Sequence, residues 1–156
     1  MTVPSEVKDS PYAELMLCLP ADWNLGKDQM FQTEPEAFKD ERNYWPVRWL
    51  KKLARLPHEY NTWLGVGHTI PNGDPAEALA DGLSFTGFLI CKPVTAPREF
   101  QELRTSPEKT IHFYSVIPLT TAEMNFKLEH GVSALMDKLQ AHGVTELINP
   151  DRDSVV

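Results

Sequence analysis

Tyr12-Ala13-Glu14-Leu15-Met16-Leu17-Cys18-Leu19, closed by Pro20, is the stretch on which the fold reading turns. In an extended chain Ala13, Leu15, Leu17 and Leu19 share one face, and Tyr12, Met16 and Cys18 share the other with Glu14. Both faces are largely apolar, which predicts a strand inside a sheet covered on both sides. So central a strand so near Met1 should itself be flanked.

Outward from it, residues 20–33 read as a loop around Trp23. Thr33-Glu34-Pro35-Glu36 matches a capping box, so a short helix is expected to start there. Pro46 interrupts or restarts the helical pattern. From Trp45 to Leu56 the residues Trp45, Trp49, Leu53 and Leu56 recur at helical spacing, joined by Leu50, and Arg48, Lys51, Lys52 and Arg55 line another face. Pro57 marks the next irregularity, with a brief resumption to Tyr60. Trp63–Ile70 reads as a loop and a short strand, and Asn72-Gly73-Asp74-Pro75 as a turn. Phe85–Cys91 and Ile111–Leu119 are strands, and polar residues 92–110 between them an exposed connection. Thr120-Thr121-Ala122-Glu123 is a second capping box. It opens a stripe of Met124, Leu128, Val132, Leu135 and Leu139 that is either one helix kinked at Gly131 or two abutting ones. Gly143 suits a helix end, and Val144–Ile148 a last short strand.

The 156 residues suit one domain, 42% hydrophobic and 24% charged. No apolar run nears the roughly 20 residues of a membrane span, and MTVPSEVKDS lacks the regions of a secretory signal. A net charge of -7 opposes generic nucleic-acid binding, which depends on neutralising phosphates. Cys18 and Cys91 are the two cysteines and form no CxxC pattern. Each sits in an apolar, strand-like run, so buried thiols in a reducing, cytoplasmic setting are expected.

His58, His68, His112, His130 and His142 form no HxxxH or HExxH spacing, so no metal site is predicted, and no motif calls for a cofactor. GxSxG, GxxxxGK[ST] and GxGxxG are absent, and Gly65-Val66-Gly67 reads as a turn. The basic stripe Arg48, Lys51, Lys52, Arg55 stands out against an acidic chain. Its ordinary reading is a solvated face whose stems cover apolar surface. Its functional reading is a docking surface for an acidic partner. Trp23, Trp45, Trp49 and Trp63 suit a core or an interface, and Trp23, in a loop, is the one expected to be exposed.

Tyr12–Pro20 with Asp22-Trp23, and the Tyr44–Pro57 segment YWPVRWLKKLARLP, resemble bacterial suppressor-of-fused-like proteins. So do Gly65–Ile70, Phe85–Ile90, His112–Leu119 and the helix bearing Glu123, Met124, Lys127, Leu128, Gly131 and Leu139. The resemblance implies an α/β domain used for protein–protein contact. Its animal relative resembles this chain only in the amino-terminal domain and holds Gli-type transcription factors. Some bacterial members look like immunity or antitoxin proteins. Family members carry a further Thr-Ser-Gly-Met-Ser-like stretch before the first strand, so a domain shortened at its N-terminus is expected.

These readings converge on a single α/β (α+β) domain over residues 1–156, a mixed β-sheet packed with helices. The function expected is non-catalytic binding of another protein, a toxin being the particular candidate, through Arg48, Lys51, Lys52, Arg55 and Trp23. Neither nucleic acid nor membrane is expected as a partner. Two rivals stay open: an enzyme whose site gathers scattered residues such as Glu14, His68 and His112, and a structural subunit of a homodimer or larger homo-oligomer.

Overall fold

A computed structural model describes residues 12–26 and 36–156. The described chain runs β1 (Ala13–Met16), a 3-10 turn (Glu36–Lys39), α1 (Glu41–Glu59), β2 (Thr69–Pro71) and β3 (Phe85–Cys91). A second 3-10 turn (Arg98–Phe100), β4 (Glu102–Ser106), β5 (Lys109–Thr120) and α2 (Thr121–Ala141) follow. The sheet is mixed, in the order β1-β5-β3-β2, with β1 parallel to β5 and the other pairings antiparallel. β4 also pairs with β5. The His112 amide donates to Tyr12 O and the next amide, Phe113, to Gln101 O. Successive amides of a strand point to opposite edges, so β4 lies along the edge of β5 away from β1.

Side chains of β3 and β5 feed two cores. Tyr114 and Val116 join Phe88, Ile90 and the α1 residues Trp45, Trp49 and Leu53 on one face. Ile117 and Leu119 join Leu89, Cys91 and the α2 residues Met124, Leu135 and Leu139 on the other. A bulge between Phe85 and Gly87 puts Phe85 and Phe88, three apart, into the same core. Gly87 is needed where α2 meets the sheet. A Cβ there would stand 2.7 Å from the Ile70 carbonyl and collide with the Met124 sulfur.

Several elements differ from the sequence reading. Among the described residues β1 has one strand neighbour, β5, so the flank expected on its other side is not among them. The capping box at Thr33–Glu36 falls on residues 27–35, outside the described ones, except for Glu36. α1 starts instead at the N-cap Asp40, whose side chain accepts from the Arg42 amide, and it runs unbroken through Pro46 and Pro57. Pro46 leaves the Arg42 carbonyl without its helical donor, and its own ring is buried in the helix face that packs on the core. Residues 92–110 contain a strand the reading missed. β4 carries one large apolar residue, Leu103, and its pairing rests on the main chain, which leaves no hydrophobic pattern. Val144–Ile148 contributes a single parallel bridge, Leu147 to Cys18, rather than a strand.

α2 is two helical halves merged across Gly131, whose backbone is non-helical (φ 85°, ψ 165°). Leu128 lies outside the core at 73% exposure, and the half after the break returns Leu135 and Leu139 to it. The capping box is fully formed. The Thr120 hydroxyl accepts from the Glu123 amide (3.2 Å), and the Glu123 carboxylate accepts from the Thr120 amide (2.8 Å).

Two buried carboxylates hold the C-terminal part of the chain. Glu123, fully buried, accepts from both terminal nitrogens of Arg152 (2.6 and 2.8 Å) and from the Val155 amide (3.1 Å). Burial alone would raise this carboxyl, but the Arg152, Thr120 and Val155 donors outweigh it and hold it below its ordinary value. Glu146, also fully buried, accepts from the Val94 and Thr95 amides and the Thr95 hydroxyl (2.7–3.2 Å). Burial again pushes up, and the Thr95 and Val94 donors bring it down.

A carboxyl lowered in the folded state refuses protons that the unfolded chain accepts, so its contribution is present above the ordinary carboxylate range and fades on acidification. Denaturant unfolding measured from pH 7 downward should show stability falling as these two groups titrate. Glu123→Gln should flatten that fall and cost about 3–5 kcal/mol at neutral pH, because Arg152 loses its buried counter-charge. Gly87→Ala should cost about 1–3 kcal/mol in the same assay.

Candidate functional site

α1 presents the basic stripe, but its four cations are not equivalent. Arg48 is tied down. Its Nε donates to Glu41 (2.6 Å), and one terminal nitrogen also pairs with Glu41 and donates to the Leu79 carbonyl at 2.8 Å. Trp49 Nε1 donates to the same carbonyl at 2.8 Å, so Arg48 and Trp49 together anchor the loop before β3 to the helix. Lys51, Lys52 and Arg55 are exposed. The Lys51 ammonium sits 5.3 Å from the Tyr44 ring centroid and donates to its hydroxyl (3.3 Å). Lys52 lies 4.4 Å from the Trp49 ring. These cation–π contacts restrict both lysines while leaving their charge in solvent.

Trp23, expected to be exposed, is half-buried. Its indole N–H donates to the Asn43 carbonyl (3.0 Å) and its ring meets Trp45 edge-on at 6.4 Å, which pins the loop to the first turn of α1. The outer edge of Trp23 borders a shallow pocket with Asp22, Arg42 and Pro150. The sequence reading missed Glu41 and Tyr44, which decide which cations are engaged. Both stand seven residues before their partners, and that spacing was the available signal.

The scattered set named for an enzyme is not brought together. His112 lines a cleft at the β4–β5 end of the sheet, with its Nδ1 4.0 Å from Glu102. His68 lines a different pocket beside Lys127. Burial, and then the Lys127 charge, lower its affinity for a proton. Glu14 is in register with Phe113, so its side chain leaves the sheet on the face opposite that of His112. Both cysteines are thiols, Cys91 buried as expected but Cys18 only half-buried, and β5 separates their strands: Met16 and Cys91 both pair with Ser115, from opposite edges. Two strand spacings are about 10 Å, beyond the roughly 7 Å a disulfide spans. Burial, and after it the Glu146 charge, raise both thiols, Cys91 to about 12. The buried Ser115 hydroxyl has no hydrogen-bond partner among the described residues, hence no base beside it. No group of three metal-ligating side chains occurs among the described residues, and no helix among them is long and apolar enough to cross a membrane.

Comparison with known proteins places this geometry. Residues 1–153 match the family described as Suppressor of fused protein (SUFU). A solved suppressor-of-fused homolog from Neisseria gonorrhoeae FA 1090 is 25% identical and superposes with a TM-score of 0.57 over 72% of this chain and 57% of that one. The Sufu–Fu complex (16% identity, TM-score 0.59) is matched over 85% of this chain and 50% of that one. Drosophila Suppressor of Fused (15%, 0.57) is matched over 82% and 28%. The last two likenesses speak for the fold alone. This chain thus spans between about a quarter and three fifths of the length of these relatives. Among curated proteins none matches it. Sheet, helices and a family match over nearly all its length agree: the chain belongs to the suppressor of fused family.

Proposed function

We propose that the chain is a non-catalytic protein-binding domain that presents the exposed α1 face, with Lys51, Lys52 and Arg55, to an acidic partner. The observation that carries this reading is the state of those cations. In a chain of net charge -7, two of the three are held over aromatic rings with their charge toward solvent. Such a patch speeds encounter with an acidic surface and fixes its orientation. Arg48 stands at the margin with its charge paired to Glu41, and Trp23 offers an aromatic edge at the start of the same helix. A relative solved as a complex of Sufu with Fu supports a protein as the kind of partner.

The groups able to do chemistry favour binding over catalysis. Glu123 and Glu146 are taken up by structural donors, both thiols are raised, and Glu14, His68 and His112 lie apart. Within the protein-binding reading, the particular partner we propose is a toxin that the domain neutralises in a reducing cytoplasm, where thiols separated by β5 stay reduced.

A tagged chain captured from its native cell at low ionic strength should retain a protein that is toxic when expressed alone and harmless beside this chain. The triple variant Lys51→Glu, Lys52→Glu, Arg55→Glu should associate about tenfold more slowly while still folding, with Tm lowered by a few degrees at most. Capture of small metabolites alone, or an undiminished rate for the triple variant, overturns the proposal.

A further inference from the structure

A cleft of about 590 Å³ opens at the β4–β5 end of the sheet, within the size range of small-ligand sites. None of its lining residues comes from α1, so it stands apart from the surface proposed above. Two sets of polar groups converge on it. Tyr114 is built into the core at 6% exposure, lines the cleft, and has no hydrogen-bond partner among the described residues. A buried tyrosine hydroxyl ordinarily finds a partner, so one left open to a cavity is available to a ligand. Lys92, just past β3, and Arg98, in the second 3-10 turn, are exposed cations lining the same space, and no ion pair among the described residues engages either.

We infer that this cleft is a binding site for a monoanionic carboxylate carried on a small apolar body. The charge sets the valence. Lys92 and Arg98 stand against one lining carboxylate, Glu102, so these three groups together carry a single positive charge. A carboxylate satisfies that balance, while a doubly charged phosphate would meet Glu102 with charge to spare. Arg98 offers the paired donors a carboxylate accepts, Lys92 a point charge, and Tyr114 a hydroxyl donor from the floor. The indole of Trp63 forms an apolar wall for the stem of the ligand. Both a free acid and the acidic side chain of a peptide carry this chemistry.

Amide NMR titration of the whole chain tests it, with four probes: capped glutamate (N-acetyl, N-methylamide), its glutamine counterpart, 3-phenylpropionate and inorganic phosphate. The two carboxylates should produce saturable shifts at Trp63, Val66 and Gln101, and the glutamine compound none. Tighter binding of phenylpropionate would identify a free acid as the ligand, and tighter binding of capped glutamate a peptide side chain. Lys92→Gln and Arg98→Gln should each weaken binding about tenfold, as expected for one charge-assisted hydrogen bond. Tyr114→Phe should weaken it several-fold with an unchanged Tm, since the hydroxyl holds no hydrogen bond among the described residues. The Lys51, Lys52, Arg55 triple variant should bind the probes like the native chain, which separates this site from the α1 surface. Equal shifts from the glutamine compound, tighter binding of phosphate, or undiminished binding by Lys92→Gln/Arg98→Gln would overturn the inference.

Discussion

The register of β5 is the constraint on which everything else depends. Its twelve residues pair with β1, β3 and β4, and its alternate side chains enter two different cores. A slip of one residue would send Tyr114 and Val116 toward α2, and Ile117 and Leu119 toward α1. Thr120 then serves two elements at once, as the last residue of β5 and the N-cap of α2. Through that junction the strand sets where Glu123 lies, and Glu123 in turn sets where Arg152 and the C-terminal residues close over the Phe85 ring. The second buried carboxylate, Glu146, links the loop after β3 to the segment that bridges Cys18.

This arrangement divides the charges of the chain by role. Buried charge is tightly coupled to folding, because removing one partner strands the other in low dielectric. Exposed cations such as Lys51, Lys52 and Arg55 contribute little to stability and are free to be used in recognition. Screening confines their influence to roughly 8 Å at physiological salt, so the overall charge of -7 does not cancel a local positive face at contact distance. Arg48 belongs to neither class fully. Its guanidinium spans Glu41 and the Leu79 carbonyl, joining α1 to the loop that leads into the central sheet.

What could be read from the residues alone follows from which interactions leave a periodic trace. Phe85–Cys91 is apolar on both faces and its strand bounds match the structure, and the Thr120–Glu123 capping box is a local motif that formed as read. α1 was visible as a Trp45, Trp49, Leu53 stripe, but Pro46 obscured its start because a proline inside a helical pattern ordinarily marks a break, and only the burial of its ring in the fold shows otherwise. β4 was illegible because its pairing is made by main-chain groups. The same gap hid the cleft, whose Lys92, Arg98 and Gln101 come from a stretch that reads as irregular. For the basic stripe, the spacing of Arg48, Lys51, Lys52 and Arg55 marked a helix face but not the Glu41 and Tyr44 contacts that engage two of its cations. Burial of Trp23 depended on a hydrogen bond to Asn43, twenty residues away.

Lysines of the described residues stand on several elements: Lys39 just before α1, Lys51 and Lys52 on α1, Lys92 at the cleft, Lys109 on β5, and Lys127 and Lys138 on α2. Lysine-directed cross-linking of the complex captured from native cells, read by mass spectrometry, therefore maps the partner without perturbing the fold. The account predicts that cross-links to the partner concentrate on Lys51 and Lys52. Cross-links confined to Lys109, Lys127 or Lys138, with Lys51 and Lys52 modified as freely as in the isolated chain, would contradict it.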